Sequence, residues 1–197
     1  MHHTCNPIDH TIYCIGGRIE GNFTSSLAVR MEVREDGTLG PYKAISPLKE
    51  TIGFHMAFVR DHALYVVGGL HRDAPMIDFD RKRDIWRLPV GADGTVSTWE
   101  NAGQLPHALY ASAAEVFGDA VYLFGGQNEN DEVVDTIIAA KLAPDGRVTD
   151  AHELTARLSV ARMHVHQTPV FGKWIYSVGG RDENDRSLGI VDVGTFE

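Results

Sequence analysis

An all-β fold of repeated units is what this 197-residue sequence predicts, and three observations predict it. Four segments align without a gap: HTIYCIGG at 10–17, HALYVVGG at 62–69, DAVYLFGG at 119–126 and KWIYSVGG at 173–180. Their first glycines, Gly16, Gly68, Gly125 and Gly179, are 52, 57 and 54 residues apart. A tyrosine (Tyr13, Tyr65, Tyr122, Tyr176) stands three residues before each, and an Asp-Gly pair recurs at Asp36, Asp93 and Asp145. Each interval reads as four short strands and leaves no place for a long helix. Antiparallel units of about 50 residues cover their faces by packing on their neighbours around an axis, which is a β-propeller.

Each unit is justified strand by strand. The run before each Gly-Gly (Ile12–Ile15, Leu64–Val67, Val121–Phe124, Ile175–Val178) is nearly all apolar, β-branched or aromatic, which predicts a strand covered on both faces. Ahead of it Asp9-His10, Asp61-His62, Gly118-Asp119 and Gly172-Lys173 suit two-residue hairpin turns. The strand before that turn contains Pro7 or Pro169, and proline fits only an edge strand, here the innermost. After the glycines come a polar loop, a third strand (27–33, 85–90, 136–142), the Asp-Gly turn and a fourth strand near Trp99. From the second glycine to that Asp is 19, 24 and 19 residues, so the second unit carries five extra residues, between 70 and 84.

Composition narrows the function classes. With 18 Lys+Arg against 27 Asp+Glu the formal charge is −9, which works against non-specific nucleic-acid binding. No apolar stretch approaches the roughly 18 residues of a membrane helix, so no membrane partner is expected. The start, MHHTCNPIDH, has neither a basic nor an apolar signal region, which favours the cytoplasm if it is the true N-terminus. Two cysteines are too few for a disulfide scaffold or a four-cysteine zinc site. Cys5 and Cys14 fall opposite each other across the first hairpin, and reduced thiols are the favoured state. No phosphate loop, nucleophile elbow or zinc signature is present, so neither cofactor, metal nor catalytic residue is assigned.

The Gly-Gly pairs, the tyrosines, and a histidine 13 residues before the first glycine (His3, His55, His166) give a sequence that resembles the Kelch repeat family over its whole length. The resemblance implies a Kelch-type, galactose-oxidase-like propeller whose first strands line a central channel. It departs from the family pattern at Ile52, Leu109 and Met163, where an arginine is usual, and at Ser112, which stands for the histidine. The late tryptophan is clear only at Trp99. Four blades, near 1–48, 49–106, 107–160 and 161–197, make one domain. A further Asp-Gly would fall near 199, so the fourth blade has three strands. That predicts either a portion of a larger propeller or a homodimer that closes one ring.

Loops of variable length on one face carry the candidate chemistry. The insertion 70–84 groups His71, Arg72, Arg81, Lys82 and Arg83 with Asp73, Asp78 and Asp80 around Met76, Ile77 and Phe79. It suits a contact loop for an acidic target, or a solvated loop. Arg18 and Arg181 follow Gly-Gly pairs, Arg162 and His164 begin an innermost strand, and Tyr110 lies in the connection before the third blade. With His71 and Arg72 they form the candidate ligand-binding set, able to clamp a carboxylate at the channel mouth. The repeated histidines read as structural. Asn128–Asp131 and Asp182–Asp185 read as Asx turns rather than calcium loops. An Asp-box resemblance at 92–99 fails on spacing.

The reading that follows is a protein- or ligand-binding module, with an acidic or carbohydrate ligand as the small-molecule option. Its rival is a carbohydrate-active enzyme of the sialic-acid epimerase (mutarotase) type, with Arg162, His164, His71 and Glu20 as the acid–base candidates.

Overall fold

The computed structural model describes residues 2–72, 78–165 and 168–196. Its strands form four antiparallel blade sheets, one per sequence repeat, and one further two-stranded pair. The first holds β1 (Thr4–Ile8), β2 (Thr11–Ile15), β3 (Ala28–Glu32) and β4 (Lys43–Ala44) in that order. The second holds β5 (Met56–Arg60), β6 (Ala63–His71), β7 (Asp80–Pro89) and β8 (Glu100–Gln104). After the short β9 (Leu109–Tyr110), the third holds β10 (Ala113–Phe117), β11 (Ala120–Phe124), β13 (Thr136–Leu142) and β14 (Val148–Arg157). Between β11 and β13, β12 (Gln127–Asn128) turns aside to pair with β9. The fourth has three strands among the described residues: β15 (Val170–Phe171), β16 (Trp174–Val178) and β17 (Val191–Thr195). This is a four-bladed propeller arrangement, with one 3-10 turn at Glu20–Asn22 as the only helical element described. No helix among these residues is long and apolar enough to cross a membrane.

The register follows from the turns. Ile8 pairs Thr11, Arg60 pairs Ala63, Phe117 pairs Ala120 and Phe171 pairs Trp174, so all four inner hairpins have two-residue loops. The left-handed backbone such loops demand falls on Asp9, Asp61, His62, Gly118 and Gly172. The Asp-Gly turns are longer, and the Asp side chain closes each by accepting from the N–H two residues on, at 2.9 to 3.0 Å.

The core is a set of interfaces between consecutive blades. Tyr13 and Ile15 of the first blade pack with Leu64, Val66 and Leu88 of the second. On the opposite face of β6, Tyr65 and Val67 join Val121, Leu123 and Ile138 of the third. Phe124 and Leu158 then meet Ile175 of the fourth. In each case the face bearing the repeat tyrosine covers the other face of the next blade. Coverage on both faces, predicted for all four central strands, holds fully only for β6. The exposed Trp174 and Val178 of β16 correct the expectation for the last blade.

Three further points refine the sequence reading. Cys5 and Cys14 are joined as a disulfide, not two thiols, since the directly opposed pair has its Cα atoms 4.1 Å apart. The described part of the insertion is a β-ribbon rather than a loop, because β6 and β7 continue past Gly69 in pairs Leu70–Arg81 and His71–Asp80. Positions Asp73, Met76 and Ile77 of that insertion, and His166 of the histidine series, lie outside the described residues.

Candidate functional site

The residues that lead into the inner strands converge on one mouth of the channel. His2, Phe54, Ala111 and His164 all adopt left-handed backbone, with φ of 61°, 55°, 52° and 53°. None is glycine, so each carries a strain of roughly 1–3 kcal/mol that the surroundings must hold in place. A chain of backbone hydrogen bonds holds them. Phe54 N–H donates to His2 O at 3.3 Å, Ala111 N–H to Phe54 O at 2.8 Å and His164 N–H to Ala111 O at 2.7 Å. The result is a collar running from blade to blade. It brings the imidazole of His2 onto the ring of Phe54 at 3.9 Å between centroids, with His164 5.6 and 5.7 Å from the two. Below the collar a cavity of about 440 Å³ descends along the inner strands.

The connecting loops are tied together around this mouth. Arg72 N–H donates to Thr24 Oγ1 at 2.9 Å, and Thr24 N–H donates to the Arg72 carbonyl at 2.9 Å. Thr24 Oγ1 also lies 2.7 Å from Thr51 Oγ1. His71 Nδ1 is 2.9 Å from the Thr51 carbonyl and 3.0 Å from the Thr51 hydroxyl. Gly53 and Leu70 exchange both backbone bonds, as do Met163 and Arg181.

The predicted site residues fall into three groups. Arg18 and His164 reach the mouth: the Arg18 guanidinium stands 6.0 Å from the Phe54 ring centroid and donates to Asn22. His71 and Arg72 sit together on the adjoining ribbon, with the Arg72 guanidinium 5.1 Å over Phe79. Tyr110 is buried, and its hydroxyl donates to Asp131 at 2.6 Å. Arg81 clamps the same carboxylate through two nitrogens, at 3.0 and 2.5 Å, and so latches the ribbon of blade two to the loop of blade three. That guanidinium is the main reason the Asp131 carboxyl lies below the usual carboxylate range, and burial is the main reason the Tyr110 hydroxyl is pushed up. Arg181 pairs with Asp185 at 2.8 Å on the surface.

Arg162 departs from its expected place. It is fully buried, ion-paired with Asp192, and its guanidinium also faces the carbonyls of Ser177 and Gly179. A guanidinium so engaged is a strut between blades three and four. It cannot clamp a ligand at the mouth, and it leaves the acid–base set of the rival reading. The loops at Asn128 and Asp182 are Asx turns, each side-chain oxygen accepting two backbone N–H groups at 2.9 to 3.0 Å.

Of the repeated histidines, His55 is buried with Nε2 2.8 Å from Thr4 Oγ1. Burial, aided by repulsion from His3, lowers its pKa to about 3, so the ring is neutral. Sequence reasoning missed the collar itself. The signal was present: His2 and Phe54 directly precede His3 and His55, and Ala111 directly precedes Ser112.

Known proteins match this architecture. The chain is 26% identical over 196 residues to Kelch-like protein 36 of Rattus norvegicus and of Mus musculus, and 27% identical over 199 residues to that of Bos taurus. These alignments take in 98% of this chain and 29% of each relative, so the chain spans less than a third of the curated relatives it matches. The solved structure of YjhT superposes with a TM-score of 0.65, covering 100% of this chain and 81% of that one at 12% identity. The chain is a β-propeller, similar in sequence to the Kelch-like proteins. No protein-family model matches it. In this propeller the collar and the variable loops share one face, and the two-residue and Asp-Gly turns occupy the other.

Proposed function

We propose that this Kelch-type propeller is a non-enzymatic binding module that holds a protein partner on its loop face, around the channel mouth. The carrying observation is the strained, hydrogen-bonded collar of His2, Phe54, Ala111 and His164. Strain of this kind persists where the fold over-determines it, and it clusters at ligand clamps. Around the collar, Arg18 and Arg72 stand over Phe54 and Phe79, giving aromatic anchors with basic neighbours. That combination suits a partner segment with apolar and acidic side chains. The name shared by the relatives is consistent with a Kelch scaffold and adds no partner. With Arg162 buried, the enzymatic rival has no specific observation in its favour.

The test is capture of partners by the wild-type chain and by two variants: residues 70–83 replaced with a short turn, and Phe54→Ala with His164→Ala. The proposal expects the same discrete partner to be lost from both, with β-sheet content and melting temperature kept. Undiminished capture by both variants contradicts it.

A further inference from the structure

Beneath the collar the channel holds a group that loop-face binding does not use. The described lining is mostly small and neutral, with alanines, hydroxyls and four histidines, and one carboxylate, Glu115. Glu115 sits in the middle of β10, paired across the strand with Tyr122, and its carboxylate is half-buried. Its side-chain partner is the Thr168 hydroxyl, 3.5 Å away, and no Lys or Arg lines the cavity among the described residues. Burial raises its carboxyl above the usual range, the signature of an anion held away from water without a countercharge. A second group points the same way: His55 is buried on the cavity wall, and its Nδ1 has no hydrogen-bond partner among the described residues.

Glu115 is the one carboxylate of the described lining, which holds no Lys or Arg. A buried carboxylate gains most from a cation that also donates hydrogen bonds. A cavity of about 440 Å³ is within the size range of small-ligand sites. We propose that the channel binds an ammonium group, with the Glu115 carboxylate as its counter-ion and the Thr168 hydroxyl as a further acceptor. The ammonium belongs either to a free small amine or to a lysine side chain entering through the collar. This site goes beyond loop-face binding and stands or falls separately from it, because its probes are small molecules.

Saturation-transfer NMR on the full chain at neutral pH tests it with three four-carbon probes: n-butylammonium, n-butanol and butyrate. The ammonium is expected to bind saturably and the other two not. Glu115→Gln is expected to weaken binding roughly tenfold or more, the size of a lost hydrogen bond to a charged group, with the fold intact by circular dichroism. If that variant fails to fold, the carbon-13 shift of the wild-type Glu115 carboxyl decides, and is expected to show its pKa falling as the ammonium saturates. Equal binding of butanol, preferential binding of butyrate, or an ammonium affinity or carboxyl pKa unmoved in these tests overturns the proposal. Lysine blocked at its α-amino and carboxyl groups separates the two sources. Its binding assigns the site to a side chain, and its failure beside a bound butylammonium assigns it to a free amine.

Discussion

The second and fourth blades carry the same central motif, ALYVVGG and WIYSVGG, yet they live in different surroundings. In the second, Tyr65 and Val67 are 2% and 0% exposed, because blade three covers them. In the fourth, the matching face leaves Trp174 and Val178 42% and 40% exposed, with Val191 and Val193 beside them on β17. Phe171, opposite Trp174, is the most exposed large apolar residue described, at 78%. The motif builds a strand with two apolar faces, and only a neighbour turns a face into core. Stability in such an array is a sum of blade and interface contributions.

The largest way to sharpen this comparison lies in the glycines. A Cβ on Gly68 would come within 2.2 Å of the Leu109 carbonyl at the start of blade three, whereas on Gly179 the nearest atom is Leu188 O at 3.4 Å. Both have left-handed φ, 58° and 66°. Gly68→Ala is expected to cost about 3 kcal/mol or more, from conformation and clash together. Gly179→Ala should cost about 1 kcal/mol, from conformation alone. Urea denaturation of both variants measures the gap, and equal losses contradict the neighbour argument.

Next come the arginines of the last interface. Arg162→Ala removes a fully buried guanidinium and leaves Asp192 without its countercharge, with an expected loss of about 3 kcal/mol. Arg181→Ala breaks a surface pair and should cost below about 1 kcal/mol. Thermal melts of the two variants make the comparison.

Val67→Thr and Val178→Thr put the same hydroxyl on the same repeat position. The covered site should lose about 2 kcal/mol for a buried hydroxyl without a designed partner, and the open one no more than about 0.5 kcal/mol. A loss at Val178 as large as at Val67 would mean that this face is covered in solution, as a homodimer or a further blade would cover it.

The smallest effect is one of pH. The His55 pKa is about 3 in the fold against 6.5 as the unperturbed value, so the unfolded chain binds the proton more readily. Stability is therefore unaffected by this group above about 6.5 and declines as pH falls from there towards 3. One pH unit below 6.5 the expected loss is about 1.4 kcal/mol. Denaturation at several pH values should show this slope, and His55→Gln should flatten it.

Much of this fold was legible because its marks are local. The two-residue turns, the Asp-Gly closures and the directly opposed Cys5 and Cys14 follow from spacing within one hairpin. What depends on a neighbour was not legible. Arg162 follows its blade's connection much as Arg18 follows a Gly-Gly pair, but its burial is decided by Asp192, 30 residues on. The open face of the fourth blade and the solitary position of Glu115 arise only when strands from different repeats meet. The collar lies between these cases, since three of its four positions (His2, Phe54 and Ala111) recur at one offset in sequence while its hydrogen bonds cross from blade to blade.

The central claim, that binding belongs to the loop face, is tested most directly by site-specific photo-crosslinking. One set of chains carries the crosslinker at Arg72 and Asn184 on the loop face, the other at Asp36 and Asp145 in the turns at the opposite end of the strands. The account predicts one discrete partner adduct from the first set and none from the second. The same adduct formed from the Asp-Gly turns, with the loop positions silent, would contradict it.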